Sequence, residues 1–436
     1  MKSIPVEHIV IIGNGISGIT AARHIRKLSA HNITVISAET DYFFSRTALM
    51  YVYMGHMKYE HTQPYEAGFW KKNNIGLKKG YVTGINPGEK VLFFGDGETL
   101  GYDTLIIASG SRPNTFGWKG QELKGVQGLY SKQDLELLEE NTRAISRAVI
   151  VGGGLIGIEL AEMLRSRDIP VTFLVREKSF WDMVLPPEES AMINRHIREH
   201  GVDLRLNTTL DAILPDENGR VKAVLTGTGE TIPCQLVGLT AGVSPNIPFL
   251  EGSGIETKKG VLVNRYLETS VPGIYAIGDC AEQREPQGLR PPVEAIWYTG
   301  RMMGETVAQT VCGNKMPYRP GPWFNSAKFF DIEYQTYGWV WPIPKDYEIQ
   351  FYREVEAGKK CIRISYHKDS RVFLGITALG IRLKHEFFDE VLTKKRTVEY
   401  VMAHWEQANF DPEFFSSYTK DLRQAFYEHC KTEVSS

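Results

Sequence analysis

The sequence predicts an α/β fold in which one strand–turn–helix–strand unit occurs twice, followed by a C-terminal α+β segment. The apolar run His8 to Ile12 leads into Gly13-Asn14-Gly15-Ile16-Ser17-Gly18, and Ile19, Ala22, Ile25 and Leu28 then recur at helical spacing. The same succession returns as Ala148 to Val151, then Gly152-Gly153-Gly154-Leu155-Ile156-Gly157, then a helix through Leu160, Ala161 and Leu164. Further on, the aromatic and β-branched runs Tyr347 to Tyr352 and Cys361 to Tyr366 read as antiparallel strands. Two helical patterns follow, Glu386 to Trp405 and Asp411 to Cys430, the first with an apolar stripe of Phe387, Val391, Val398, Met402 and Trp405.

The glycines of the first loop differ in what they permit. The first allows a tight turn, the second lets the backbone approach a pyrophosphate, and the third permits close helix–strand packing. Unpaired N–H groups at the helix start then face the phosphates. A second strand, Ile33 to Ser37, ends beside Glu39, about twenty residues beyond the last glycine, where a carboxylate can accept ribose hydroxyls. Both features belong to a Rossmann-like dinucleotide-binding unit, and two such units in one chain are a far stronger signal than one.

In the second unit, the strand Val171 to Val175 ends where an acid would take the ribose of NADH, and Val175 stands there instead. Arg176 follows, and its planar guanidinium suits the 2′-phosphate of NADPH. Glu177, one position on, would suit NADH, so the reading admits NADH or NADPH.

Composition excludes several classes. The 436 residues are enough for two to four domains at roughly 100–200 residues each, and 42% hydrophobic with 23% charged residues is ordinary for globular chains. A formal charge of -2 gives no footprint for nucleic acid. The five cysteines show no short CxxC-type spacing, so neither a metal site nor a redox pair is expected, and a reducing, cytoplasmic setting fits them. Met1 to Pro5 carries no signal peptide pattern, and no apolar run reaches the roughly 18 residues of a transmembrane segment.

Three further segments sharpen the reading: TLIIASGSRP at Thr104 to Pro113, LTAGVSP at Leu239 to Pro245 and TSVPGIYAIGDCA at Thr269 to Ala281. With the two glycine loops, they resemble the pyridine nucleotide-disulfide oxidoreductase superfamily, flavoproteins with two dinucleotide-binding domains. The resemblance implies an FAD domain at residues 1–118 and 240–320, an inserted NAD(P)H domain at 119–239, and a C-terminal α+β interface domain at 321–436. It implies FAD on Gly13, Gly15, Ile16, Ser17, Gly18, Glu39, Ala108, Gly110, Gly278 and Asp279, the last bonding the ribityl chain. Glu294, Ala295 and Trp297 resemble a helix start that borders the isoalloxazine ring. Gly152, Gly154, Leu155, Ile156, Gly157, Arg176 and Gly242 would hold the nicotinamide nucleotide, and Glu159 matches an acid that lies near nicotinamide and flavin.

Where disulfide reductases of this superfamily carry a CxxxxC pair, and other branches a single cysteine near Ser45, the stretch Asp41 to Met50 contains none. Without a thiolate, dithiol chemistry has no nucleophile there. Ser45-Arg46-Thr47-Ala48-Leu49 is instead similar to the YxRPPLS stretch of rubredoxin and ferredoxin reductases, which adds Arg46 to the FAD set. Pro322-Trp323-Phe324-Asn325-Ser326-Ala327-Lys328 is similar to that group's PWFWSDQ, with Asn325, Ala327 and Lys328 departing from it. The expectation is an FAD-dependent NAD(P)H oxidoreductase that passes electrons to an external acceptor: a rubredoxin- or ferredoxin-like carrier, a quinone or another small molecule. Two alternatives stay open, a redox-controlled binding flavoprotein resembling apoptosis-inducing factor and an NAD(P)H oxidase producing peroxide. The helical tail could form a homodimer, dock a partner or cap the flavin domain.

Overall fold

Five parallel strands, in the spatial order Ile274–Ala276, Thr104–Ile107, His8–Ile12, Asn32–Ser37 and Ile75–Lys79, make the first sheet. A second all-parallel sheet runs Val202–Arg205, Val171–Leu174, Ala148–Val151, Leu236–Leu239 and Val126–Gln127. The computed structural model describes residues 6–356, 358–410 and 413–433. In both sheets the strand before the glycine loop is central and the strand order reverses beside it, the topological switch point at which open α/β sheets receive ligands. These central strands, HIVII and AVIV, are covered on both faces, which is why they read as continuous apolar runs rather than alternating ones.

The chain divides into two compact units. One comprises residues up to Asn114, Leu129–Glu140 and Gly242–Pro320; the other comprises Thr115–Gly128, Asn141–Ala241 and the chain from Gly321 onward. Two of these groupings rest on particular bonds. Residues 129–140 group with the first unit, because Tyr130 and Lys132 bond to groups around Glu39. The C-terminal segment groups with the inserted one, because Arg363 reaches from the Lys360–His367 strand to Glu188 and Glu189 on the Pro187–Glu199 helix. Arg363 and Glu189 are both buried, and a buried charge keeps its partner.

The C-terminal sheet is antiparallel, in the order Phe324–Phe329, Ile332–Gly338, Phe373–Leu379, Lys360–His367 and Glu348–Glu356. The expected helix from Glu386 to Trp405 is three helices, His385–Thr393, Val398–Ala403 and Trp405–Ala408. Lys395, at φ +50, ends the first, and the Thr397 hydroxyl caps the second by accepting the Tyr400 N–H. The apolar stripe survives this break, since Phe387, Val391, Val398, Met402 and Trp405 all sit in one buried cluster. The tail helix begins at Thr419 and not at Asp411, which lies outside the described residues.

The segments Thr104 to Pro113 and Leu239 to Pro245 each contribute to two strands. Thr104 to Pro113 splits into Thr104–Ile107 and Ser111–Pro113, with Gly110 turning the chain at φ +69. Leu239 to Pro245 splits likewise: Leu239 ends a strand of the second sheet, and Val243–Pro245 pairs with Ser111–Pro113 in the first unit.

Candidate functional site

In the first unit the three glycines of the loop meet three different surroundings. Gly13 lies at φ +114, and a Cβ there would stand 2.1 Å from the Ala108 carbonyl oxygen, across the switch point. At Gly18 a Cβ would stand 2.0 Å from the Gly13 carbonyl oxygen, so helix and strand approach too closely for any side chain. Around Gly15 there is nothing within 4 Å. The Ile16–Leu28 helix starts there with no side-chain cap and no acid in its first turn. Its first N–H groups therefore keep their bonding capacity and the positive end of the helix for an anion.

Ser17 is held in place by two other glycines. A Cβ on Gly278 would meet Ser17 Oγ at 2.3 Å, and one on Gly300 would meet it at 2.6 Å. This packing sets the Trp297–Val311 helix and the Gly278-Asp279 turn against the glycine loop. Asp279 accepts a hydrogen bond from the Ser111 hydroxyl at 3.0 Å. Burial raises the Asp279 carboxyl above its usual range, while the Ser111 bond and the Arg46 charge pull it back. Gly110 presents its open side to the Tyr130 hydroxyl, which accepts the Ser111 N–H at 3.1 Å.

Glu39 lies two residues past the Asn32–Ser37 strand, with its carboxylate held by Arg46 and by the Lys132 N–H at 2.8 Å. The Arg46 guanidinium also bonds the Tyr130 carbonyl and lies 4.4 Å from the centroid of the Tyr130 ring. Burial works against the Arg46 charge, yet the bond and charge of Glu39 hold its pKa above the ordinary value. Glu39, Arg46, Ser111, Tyr130 and Asp279 thus form one connected polar group at the strand ends. Sequence reasoning misses Ser111 and Tyr130. Ser111 lies inside the TLIIASGSRP motif and could have been found there, whereas no local pattern points to Tyr130.

The residues expected at the flavin ring fare differently. Glu294 is buried and paired with Arg290 through both carboxylate oxygens, at 3.0 and 2.8 Å. Ala295 and Trp297 are exposed, and Trp297 opens the helix with its ring edge-on to Tyr298. Cys280, adjacent to Asp279, is a buried thiol whose hydrogen points at the Ile107 and Ile277 carbonyls, and burial raises its pKa. It is a core residue rather than a nucleophile.

The second unit repeats the glycine geometry. Gly152 lies at φ +118, and a Cβ there would stand 2.7 Å from the Thr240 carbonyl oxygen; one on Gly157 would meet the Gly152 carbonyl oxygen at 2.4 Å; Gly154 has nothing within 4 Å. Leu155 and Ile156 open the Leu155–Arg165 helix, which has no side-chain cap. The Val175 side chain faces the loop at Gly153. Arg176 is exposed and bonds its neighbour Glu177 at 2.8 Å. Gly242 belongs to the first unit, where its carbonyl accepts the Asn114 N–H.

Glu159, on the first turns of the Leu155–Arg165 helix, has its pKa pushed up to about 7. Burial is the main cause, the Glu162 charge adds to it, and Lys328 opposes it. Lys328, from the Phe324–Phe329 strand, pairs with Glu162 at 2.7 Å. In the sequence Lys328 is only a departure from a motif; nothing local ties it to a residue 166 positions away.

A family model described as pyridine nucleotide-disulphide oxidoreductase matches residues 7–304. A ferredoxin–NAD(P)(+) reductase of Sphingomonas sp. is 30% identical over 370 residues, covering 84% of this chain and 87% of the relative. A rubredoxin–NAD(+) reductase of Pseudomonas putida is 29% identical over 320 residues, covering 72% and 83%. The solved ferredoxin reductase for the CYP199A2 system from Rhodopseudomonas palustris shares the fold, with a TM-score of 0.78 at 23% identity over 86% of this chain and 91% of that one.

Proposed function

The chain belongs to the pyridine nucleotide-disulphide oxidoreductase family, and on that premise we propose that it is an FAD-dependent oxidoreductase passing electrons from NADH or NADPH to an external carrier of the ferredoxin or rubredoxin kind. The observation that carries this reading is the doubled glycine geometry. Each loop has a first and third glycine that admit no side chain and a middle glycine, Gly15 or Gly154, with open space before it.

The residues present in the first unit fit FAD. Gly13, Gly15, Ile16, Ser17 and Gly18 would offer backbone N–H groups to the pyrophosphate, Glu39 would take ribose hydroxyls, and Arg46 would stand by as a cation. Asp279 would accept from the ribityl chain, with Ser111 orienting its carboxylate. Ala108, Gly110 and Gly278 would let the cofactor approach the backbone, and Trp297 would supply an apolar border. FAD, when bound, supplies the chemistry that links a hydride donor to a single-electron acceptor.

In the second unit Gly152, Gly154, Leu155, Ile156 and Gly157 would cradle the nicotinamide nucleotide, and Arg176 favours NADPH where Glu177 favours NADH. Glu159, poised near neutrality, would hold or release a proton beside that nucleotide. The acceptor is read as a carrier because ferredoxin and rubredoxin reductases are the relatives matched and the Asp41 to Met50 stretch has no thiol.

We assign the FAD domain to residues 1–118 and 240–320, the nicotinamide domain to 119–239 and the interface domain to 321–436, the last as the candidate homodimer surface. A cytoplasmic setting is part of the same reading; no helix among the described residues is long and apolar enough to cross a membrane. Anaerobic stopped-flow tests the whole: NADH or NADPH should bleach the flavin band, and an oxidised ferredoxin or rubredoxin should restore it. A flavin that stays oxidised under excess of both nucleotides would refute the proposal.

A further inference from the structure

Among the described residues, one group of three side chains able to ligate a metal converges: His196, His200 and Asp331, whose donor atoms all lie within 4.8 Å of one another. The two histidines occupy positions i and i+4 at the end of the Pro187–Glu199 helix, which puts them on one face. Asp331 comes from the two-residue turn between the Phe324–Phe329 and Ile332–Gly338 strands. Its Oδ1 is 2.6 Å from His196 Nε2 and 3.4 Å from His200 Nε2.

Three details argue for an ion rather than a plain ion pair. First, His200 Nδ1 lies 2.9 Å from the His196 carbonyl oxygen. A carbonyl only accepts, so Nδ1 carries the proton and Nε2 of the neutral ring keeps its lone pair for a metal. Second, His196 is 5% exposed, and its Nε2 faces the Asp331 carboxylate. A nearly buried imidazole nitrogen facing a carboxylate oxygen is a pair of donors that an ion of zinc's class can bridge. Third, Phe330 sits in the left-handed region at φ +55 and stacks on the His200 ring at 4.3 Å, closing the apolar side of the cluster.

We propose that His196, His200 and Asp331 bind a divalent transition-metal ion of zinc's class, with water completing the shell, so that the ion fastens the end of this helix to the hairpin. Two imidazoles and a carboxylate are a donor set that such ions favour. Tetrahedral ligands at 2.0–2.1 Å from zinc lie about 3.3 Å apart. The His200–Asp331 separation already meets this, and Asp331, 76% exposed on its side chain, is free to back away from His196 by the remainder. The same helix is already tied to the C-terminal sheet in its first turn, through Glu188, Glu189 and Arg363, so an ion at its far end would hold it at both ends.

The test uses the flavin-loaded full chain, treated with EDTA, desalted and titrated with zinc alone by calorimetry, with the thermal midpoint read in parallel. One zinc per chain and a raised midpoint are expected. The double variant His200→Ala, Asp331→Ala should weaken binding by more than the ~10–100-fold typical of losing a group outside the coordination shell, with flavin content unchanged. Should that variant fold poorly, Asp331→Asn, which keeps the side chain's shape, should weaken binding in the same direction. Absence of a binding event in the parent, or zinc affinity unaltered in the folded variants, overturns the assignment.

Discussion

Arg46 grips the Glu39 carboxylate with both ends of its guanidinium, Nη1 on Oε1 at 3.0 Å and Nη2 on Oε2. The acid at the end of the Asn32–Ser37 strand is thus oriented by a cation seven residues on, and that cation is steadied by the Tyr130 ring and carbonyl. Bidentate pairing fixes direction as well as charge. Glu39→Gln and Asp279→Ala should each raise the Kd for FAD by about 10–100-fold, the size expected for a lost hydrogen bond to a charged group. The flavin-to-protein absorbance ratio after gel filtration checks this; full retention by both variants would remove them from the site.

Gly15→Ala and Gly154→Ala separate the two cofactors. Neither added methyl meets protein within 4 Å, so each variant should lose only about 1 kcal/mol of stability, the capping difference between glycine and alanine. Yet Gly15→Ala should lose FAD, and Gly154→Ala should keep FAD while its KM for the nucleotide rises at least about tenfold. Gly13→Ala, by contrast, forces a Cβ to 2.1 Å from a backbone oxygen and should damage the fold itself. Thermal midpoints of flavin-free protein distinguish these cases.

Arg176→Ala should weaken use of NADPH and leave NADH unaltered, because an exposed guanidinium can serve the 2′-phosphate that only NADPH carries. The KM for each nucleotide is the readout. An equal change in both would assign Arg176 a merely electrostatic or structural part.

Glu159→Gln should stabilise the protein at alkaline pH. The folded-state carboxyl titrates near 7, against 4.5 ordinarily, so between these values the folded chain holds a proton that the unfolded chain has released. Stability from this group is therefore present in acid and lost as pH climbs from 4.5 to 7. Removing the charge should recover up to about 3 kcal/mol at pH 8 and almost nothing at pH 4. Thermal midpoints of parent and variant at both pH values test the sign, and a destabilised variant at pH 8 would contradict it.

Which elements are readable in advance follows from how local their causes are. The central strands His8–Ile12 and Ala148–Val151 match the apolar runs residue for residue, since burial on both faces demands an uninterrupted apolar sequence. The apolar stripe from Phe387 to Trp405 is equally plain, but its helix breaks at Lys394 to Thr397. Buried positions keep their helical spacing on either side of such a break, so periodicity does not reveal it. The segments Thr104 to Pro113 and Leu239 to Pro245 differ again: Gly110 and Gly242 each turn the chain between two pairings, and a strand pattern carries no mark of where it changes partners.

By itself the sequence determined the α/β class, the two glycine loops at the ends of central strands, and the place of Glu39 just past the second strand, because each depends on short-range rules of turn, period and burial. Only the tertiary structure decided the pairings of Arg46 with Tyr130, Lys328 with Glu162, Arg363 with Glu189, and Asp331 with the two histidines. The paired residues are 84, 166 and 174 positions apart in the first three cases, and such contacts arise from how sheets and helices stack, which no local pattern encodes.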